Sequence, residues 1–178
     1  LSEMLGELNA SHTGARSYSS SNVEPTASLG VFYDDTYDGD GLKIKEILKR
    51  GPLAVIKSDV KTGAIIKAID GEKIVKGMDY YPLLAGKVGK KIRLTIENPD
   101  KKGEFVVEVK GISQGTEASL LYSRWVERNQ KIVEEASNGR IGYVHIEGMD
   151  SPSFREIYSD ILGKFRHADA IVVDTRHN

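Results

Sequence analysis

Apolar residues recur along this chain with two different periods, and the switch between them divides it. From Leu42 to Leu48 apolar and mostly charged residues alternate, the pattern of a strand with one face on a core. Leu29 to Tyr33 and Gly63 to Ile69 read as further strands, the second closed by the turn pair Asp70-Gly71. Ile92 to Ile96 and Phe105 to Val109 predict a hairpin across the polar loop Asn98 to Gly103. Tyr80 to Leu84 predicts a short helix, with Pro82 tolerable in its first turn. Together these predict a small, partly open β-barrel with one or two short helices.

On both sides of that region the period becomes helical. Leu1, Met4, Leu5 and Leu8 share one side of a predicted helix over residues 1–12, which Thr13-Gly14 ends. From Ala15 to Ser28 the chain carries five serines and little that is apolar, the composition of a linker. Glu117 to Ser137 predicts a long amphipathic helix with Leu120, Leu121, Trp125, Ile132 and Val133 on its apolar side, stopped by Asn138-Gly139. Then come a strand over Ile141 to Ile146, a helix over Ser153 to Phe165 and a strand over Ala170 to Asp174. That order makes one right-handed crossover unit of a parallel sheet. The fold class is therefore mixed α+β: a barrel flanked by an N-terminal helix and the first strand–helix–strand unit of an α/β core. An uncapped helix at Leu1 and a buried-type strand near Asn178 make the chain read as a piece of a larger protein.

Composition narrows the function. Lys+Arg total 25 and Asp+Glu 26 in 178 residues, a net charge of −1, so no basic excess marks a nucleic-acid partner. Apolar residues at 39% and charged residues at 29% suit a globular chain, and no apolar run approaches the ~20 residues of a membrane span. Cysteine is absent, which removes disulfides, zinc–thiolate sites and thiol catalysis. The four histidines and the Asp34-Asp35, Asp38, Asp40 cluster lack metal-ligand spacing, so no metal and no cofactor is expected. Compartment stays open.

The middle of the chain resembles a PDZ domain of the bacterial, protease-associated kind. The resemblance rests on Leu29-Gly30-Val31, on Gly51-Pro52-Leu53-Ala54 and on Gly63 through Gly71, in that order and spacing. It implies a glycine loop whose N–H groups hold a peptide carboxylate, followed by a strand that pairs with the peptide. Leu29, Gly30, Val31 and Phe32 are then the peptide-binding residues. The flanks resemble the tricorn protease family, which belongs with the tail-specific, C-terminal processing serine proteases. The matching segments are Ser123 to Asn129, Gly139 to Ile146, Phe154 to Tyr158, Ile171 to Asn178, and Glu7 to His12.

That likeness implies four parts: a helical segment of the protease core over 1–14, a linker over 15–28, a PDZ domain over 29–112, and a long helix with the start of the α/β core over 113–178. It implies that His12 is the general base and that Ser11 orients it, while the nucleophilic serine and its carboxylate lie beyond residue 178. A backbone oxyanion donor maps to Gly148, Met149 and Asp150, where the family tends to have glycine at the Asp150 position. The implied partners are peptides or unfolded polypeptide and other domains of a parent chain, with a homo-oligomer allowed. From spacing alone, His12 reads rather as a solvent-facing histidine at a helix end, and it is the resemblance that reverses this reading. His145 reads as a hydrogen-bonded sheet histidine, and Asp174 with Arg176 as a salt-bridged strand end. A non-catalytic PDZ module that binds peptides or neighbouring domains is the alternative to a peptidase.

Overall fold

The computed structural model describes residues 24–56 and 58–177. The expected helix over 1–12, with Ser11 and His12, lies outside them. Among the described residues eight strands form two sheets. In the first, β1 (Val31–Tyr33), β2 (Leu42–Ile47), β3 (Ile65–Ile69), β5 (Lys91–Glu97) and β6 (Glu104–Lys110) lie side by side in that order. The short β4 (Glu72–Lys73) pairs with β3, and every pairing is antiparallel. Two short helical pieces join this unit: α1 (Pro52–Val55) and a 3₁₀ turn over Tyr81–Leu84.

Alternation explains why this sheet forms. In β5, Ile92, Leu94 and Ile96 are fully buried while Lys91 and Arg93 are exposed, so one face of the strand makes the core. Ile44, Ile66, Ile69 and Val109 close it from the neighbouring strands. At the β3–β4 turn Asp70 and Gly71 both take positive φ, 51° and 90°, the twist a two-residue hairpin needs. Asn98 is buried at the far end of the β5–β6 hairpin, where its amide donates to the Asp59 carbonyl at 2.6 Å.

Among the described residues the sheet is open rather than a closed barrel, because β1 and β6, at its two ends, do not pair. Isolated bridges partly span the gap: Thr26 pairs with Ala85 and Ser28 with Ile112, and Ala27 between them is buried. The last residues of the stretch that reads as linker therefore belong to the folded unit. They look like linker because alternating small polar residues carry no strong period.

The long helix α2 (Gln114–Ala136) begins before Glu117, the expected start, with Ser113 as its cap accepting from Thr116 N–H at 3.1 Å. Asn138 and Gly139 at φ 51° and 76° end it, Gly139 N–H returning to the Glu134 carbonyl. The second sheet pairs β7 (Ile141–His145) and β8 (Ala170–Asp174) in parallel, with α3 (Ser151–Leu162) between them in sequence. This is the crossover unit that the pattern predicts. Among the described residues no helix is long and apolar enough to cross a membrane.

Candidate functional site: a groove beside an edge strand

Strand β1 stands at the end of the strand order, so one of its edges is unpaired among the described residues. Opposite that edge lies the 3₁₀ turn, and between them runs a groove of about 460 Å³. Val31, Tyr33, Tyr80 and Tyr81 form its apolar walls, and Asp35 and Glu117 reach it from the β1–β2 loop and from α2. Tyr80 stacks on Tyr81 at 4.6 Å between ring centroids, and Tyr33 meets Tyr80 edge-on at 5.6 Å. Burial, above all, raises the Tyr33 hydroxyl pKa, and the charge of Glu117 adds to the effect. Tyr80 is raised for the same first reason, with the neighbouring tyrosines and then Asp35 adding to it.

Gly30 sits at the head of the groove with φ 65°, and a Cβ there would come within 2.8 Å of Pro52 Cδ. Its glycine character thus follows from the turn and from the start of α1, rather than from room left for a ligand. The Gly30 carbonyl accepts from Leu48 N–H at 3.0 Å, and its N–H donates to Ser28 Oγ at 3.0 Å. Ser28 in turn donates its hydroxyl proton to the Glu117 carboxylate. The loop expected to meet a peptide carboxylate therefore already faces a carboxylate of its own chain. Leu29 is buried in the core behind it. Phe32 lies partly exposed under the Arg124 guanidinium, 5.2 Å from its ring centre. Arg124 holds Glu46 by two hydrogen bonds, one of 2.7 Å, and lowers the Glu46 pKa; with Lys49–Glu127 at 2.6 Å, this pins α2 to β2.

A second cluster gathers at the carboxyl ends of β7 and β8. The Nε2–H of His145 donates to the Arg176 carbonyl at 2.7 Å, so Nδ1 accepts from the Tyr122 hydroxyl at 2.8 Å. Trp125 packs against the same imidazole at 4.7 Å. Burial pushes the Tyr122 hydroxyl up to about 12, with Glu147 and Glu156 adding to it. Asp174 is buried, accepts from Tyr143 Oη at 2.7 Å and is clasped by Arg176. The guanidinium, then the Tyr143 hydroxyl, hold its carboxyl well below the usual range. Both pairs are structural: each ring nitrogen of His145 has a partner, and Asp174 has a cation.

The residues mapped to an oxyanion donor sit at the start of α3. Asp150 caps that helix, its Oδ1 accepting from Ser153 N–H at 2.8 Å, and Met149 is exposed. His12 and Ser11 are not among the described residues, so no distance from them to Gly148, Met149 or Asp150 is defined. Sequence reasoning missed Ser28 and Glu117, read as the end of the linker and the start of the long helix, and the tyrosines as a wall of the groove. The adjacent Tyr80-Tyr81 before a proline was the available signal for that wall.

Residues 35–114 match the family of tricorn protease PDZ domains. The chain carries a PDZ domain of the tricorn protease family. Over its whole length it is 32% identical to a tricorn-like protease C-terminal subunit of Sulfurisphaera tokodaii, covering 21% of that protein. It is also 32% identical to a tricorn protease homolog of Saccharolobus solfataricus, again over the whole chain and covering 17% of the relative. The fold matches the crystal structure of the tricorn protease with a TM-score of 0.67 over 85% of this chain and 15% of that one, at 22% identity. The chain thus spans about a fifth of the length of the curated relatives it matches.

Proposed function

We propose that this chain is the PDZ-bearing part of a serine peptidase, with a PDZ unit over 29–112 that captures extended polypeptide for cleavage. The observation that carries the capture step is the unpaired edge of β1 facing a groove of about 460 Å³. An extended peptide added there gains main-chain hydrogen bonds from the free edge of β1, just after the Leu29–Gly30 loop, and places alternate side chains against the tyrosine wall. In the chemical step His12 is the general base. It takes the proton of a serine hydroxyl supplied from outside these residues, as that oxygen bonds to the scissile carbonyl carbon. It then gives the proton to the leaving amine as the C–N bond breaks. Ser11 orients the imidazole, and backbone N–H groups around Gly148, Met149 and Asp150 face the developing oxyanion.

The same contacts favour a second role, as an interdomain element. Arg124–Glu46 and Lys49–Glu127 tie the PDZ unit to the helix that leads into β7, so the position of the groove is coupled to that of the core.

Peptide hydrolysis tests the chemistry. In the intact protein His12→Ala should lower turnover by ~10²–10⁴-fold, the usual worth of a positioned general base. The 178-residue chain alone should hydrolyse nothing, since in this reading the nucleophilic serine is supplied from outside it. Turnover that survives His12→Ala, or activity in the chain alone, would refute the assignment.

A further inference from the structure

Among the described residues, the groove beside β1 is lined by two carboxylates, Asp35 and Glu117, and by no Lys, Arg or His. Two cations on neighbouring elements are engaged with other carboxylates: Lys43 pairs with Asp34 at 3.1 Å, and Arg124 is held by Glu46. A free peptide C-terminus placed at the Leu29–Val31 loop would find the Gly30 N–H already donated to Ser28, and the Glu117 carboxylate on the other side of that serine. Like charges repel, and the described lining residues include no cation to offset them. A positive group meets the opposite situation. It would meet the carboxylates of Glu117 on α2 and Asp35 on the β1–β2 loop beside the stacked Tyr80–Tyr81 pair, and a ring face that the stack leaves open attracts cations. An extended peptide laid on the β1 edge directs every second side chain into this space, which brings a long basic side chain to the two carboxylates.

We infer that the groove takes an internal, extended stretch of peptide bearing a lysine or arginine side chain, and that it rejects a free C-terminus. The inference rests on the peptide-capture reading and adds to it what is captured. Glu117 has a double part: through Ser28 it fixes the Gly30 loop, and it presents negative charge to the groove.

The test uses fluorescent nine-residue peptides, blocked at both ends, that differ only at the central position: lysine, norleucine or glutamate. Two further versions carry a norleucine centre with either a free carboxylate or a free amino terminus. Binding to the 178-residue chain is read by anisotropy. The lysine peptide should bind about threefold to tenfold tighter than the norleucine peptide, and glutamate should bind more weakly than either. That advantage should shrink as salt rises from about 50 to about 500 mM. Glu117→Gln combined with Asp35→Asn should bring the lysine-to-norleucine ratio to about one while the norleucine peptide still binds, which shows that the groove remains folded. Equal affinity for lysine and norleucine would overturn the inference. So would tighter binding of the free carboxylate than of its blocked form, or a preference for a free amino terminus without any lysine effect. Binding with none of these charge preferences leaves peptide capture standing and removes only this inference. Failure of every peptide to bind removes both.

Discussion

Asp174 shows how one residue can look catalytic and be structural. It ends a parallel strand, where α/β sheets commonly build their sites, yet its carboxylate is spent on Arg176 and the Tyr143 hydroxyl. Its pKa in the folded chain lies below the value of an unfolded aspartate, chiefly because of Arg176. A carboxyl lowered by folding contributes stability above its unfolded pKa of about 3.9, and that contribution disappears as pH falls through the lowered folded value. Asp174→Asn should therefore be less stable than the parent at pH 7, and the gap should narrow steadily below about pH 4. Thermal midpoints across that range check it; a gap of the same size at pH 7 and about pH 2 would reject the linkage. His145 teaches the complementary lesson. Its alternation with apolar neighbours implied a hydrogen-bonded sheet histidine, and both of its nitrogens are in fact paired.

At the scale of elements, Asp150 links helix formation to the residues mapped to the oxyanion donor. Its side chain caps α3, which accounts for a carboxylate at a position where the resemblance leads one to expect glycine. Both residue types serve as helix caps, whereas alanine does not. Asp150→Ala should cost about 1 kcal/mol, and Asp150→Gly only a few tenths, in urea unfolding of the chain. Equal losses for the two variants would deny the cap its role. The strands of the first sheet were legible because a half-buried strand must alternate, as β2 and β5 do. Helix α1 was not, since four residues hold barely one helical turn and show no period. The true start of α2 was hidden because Gly115, a poor helix former, sits just inside it. Least legible was the head of the groove. Ser28 and Glu117 meet across 89 positions of sequence, and nothing local to either residue announces the other.

Across the whole molecule the two sheets differ in how completely they are covered. The first surrounds a core of fully buried isoleucines and leucines, while the second has two strands and apolar side chains left in solvent. Val172 and Val173 are 40% and 50% exposed, and consecutive strand residues point to opposite faces, so both faces of β8 are uncovered. On α3, Phe154, Tyr158 and Leu162 follow one another at intervals of four along one stripe, and each is more than half exposed. Among the described residues β8 pairs with β7 alone, which leaves a row of backbone donors and acceptors beside this apolar surface. A two-stranded sheet of this kind is marginal in water, and an open edge flanked by apolar side chains is a template for another chain. The isolated 178-residue chain should therefore self-associate through β8 and α3, with its mass rising above 19.6 kDa as concentration increases. Val173→Lys places a charge on that edge and Phe154→Glu breaks the apolar stripe, so the double variant should stay monomeric over the same range. The groove beside β1 lies on the other sheet and should bind peptide equally well in both proteins. Light scattering coupled to size exclusion, run with the peptide titration, separates the two surfaces. A parent chain that stays monomeric at ~1 mM would show that the uncovered faces of the second sheet are not adhesive.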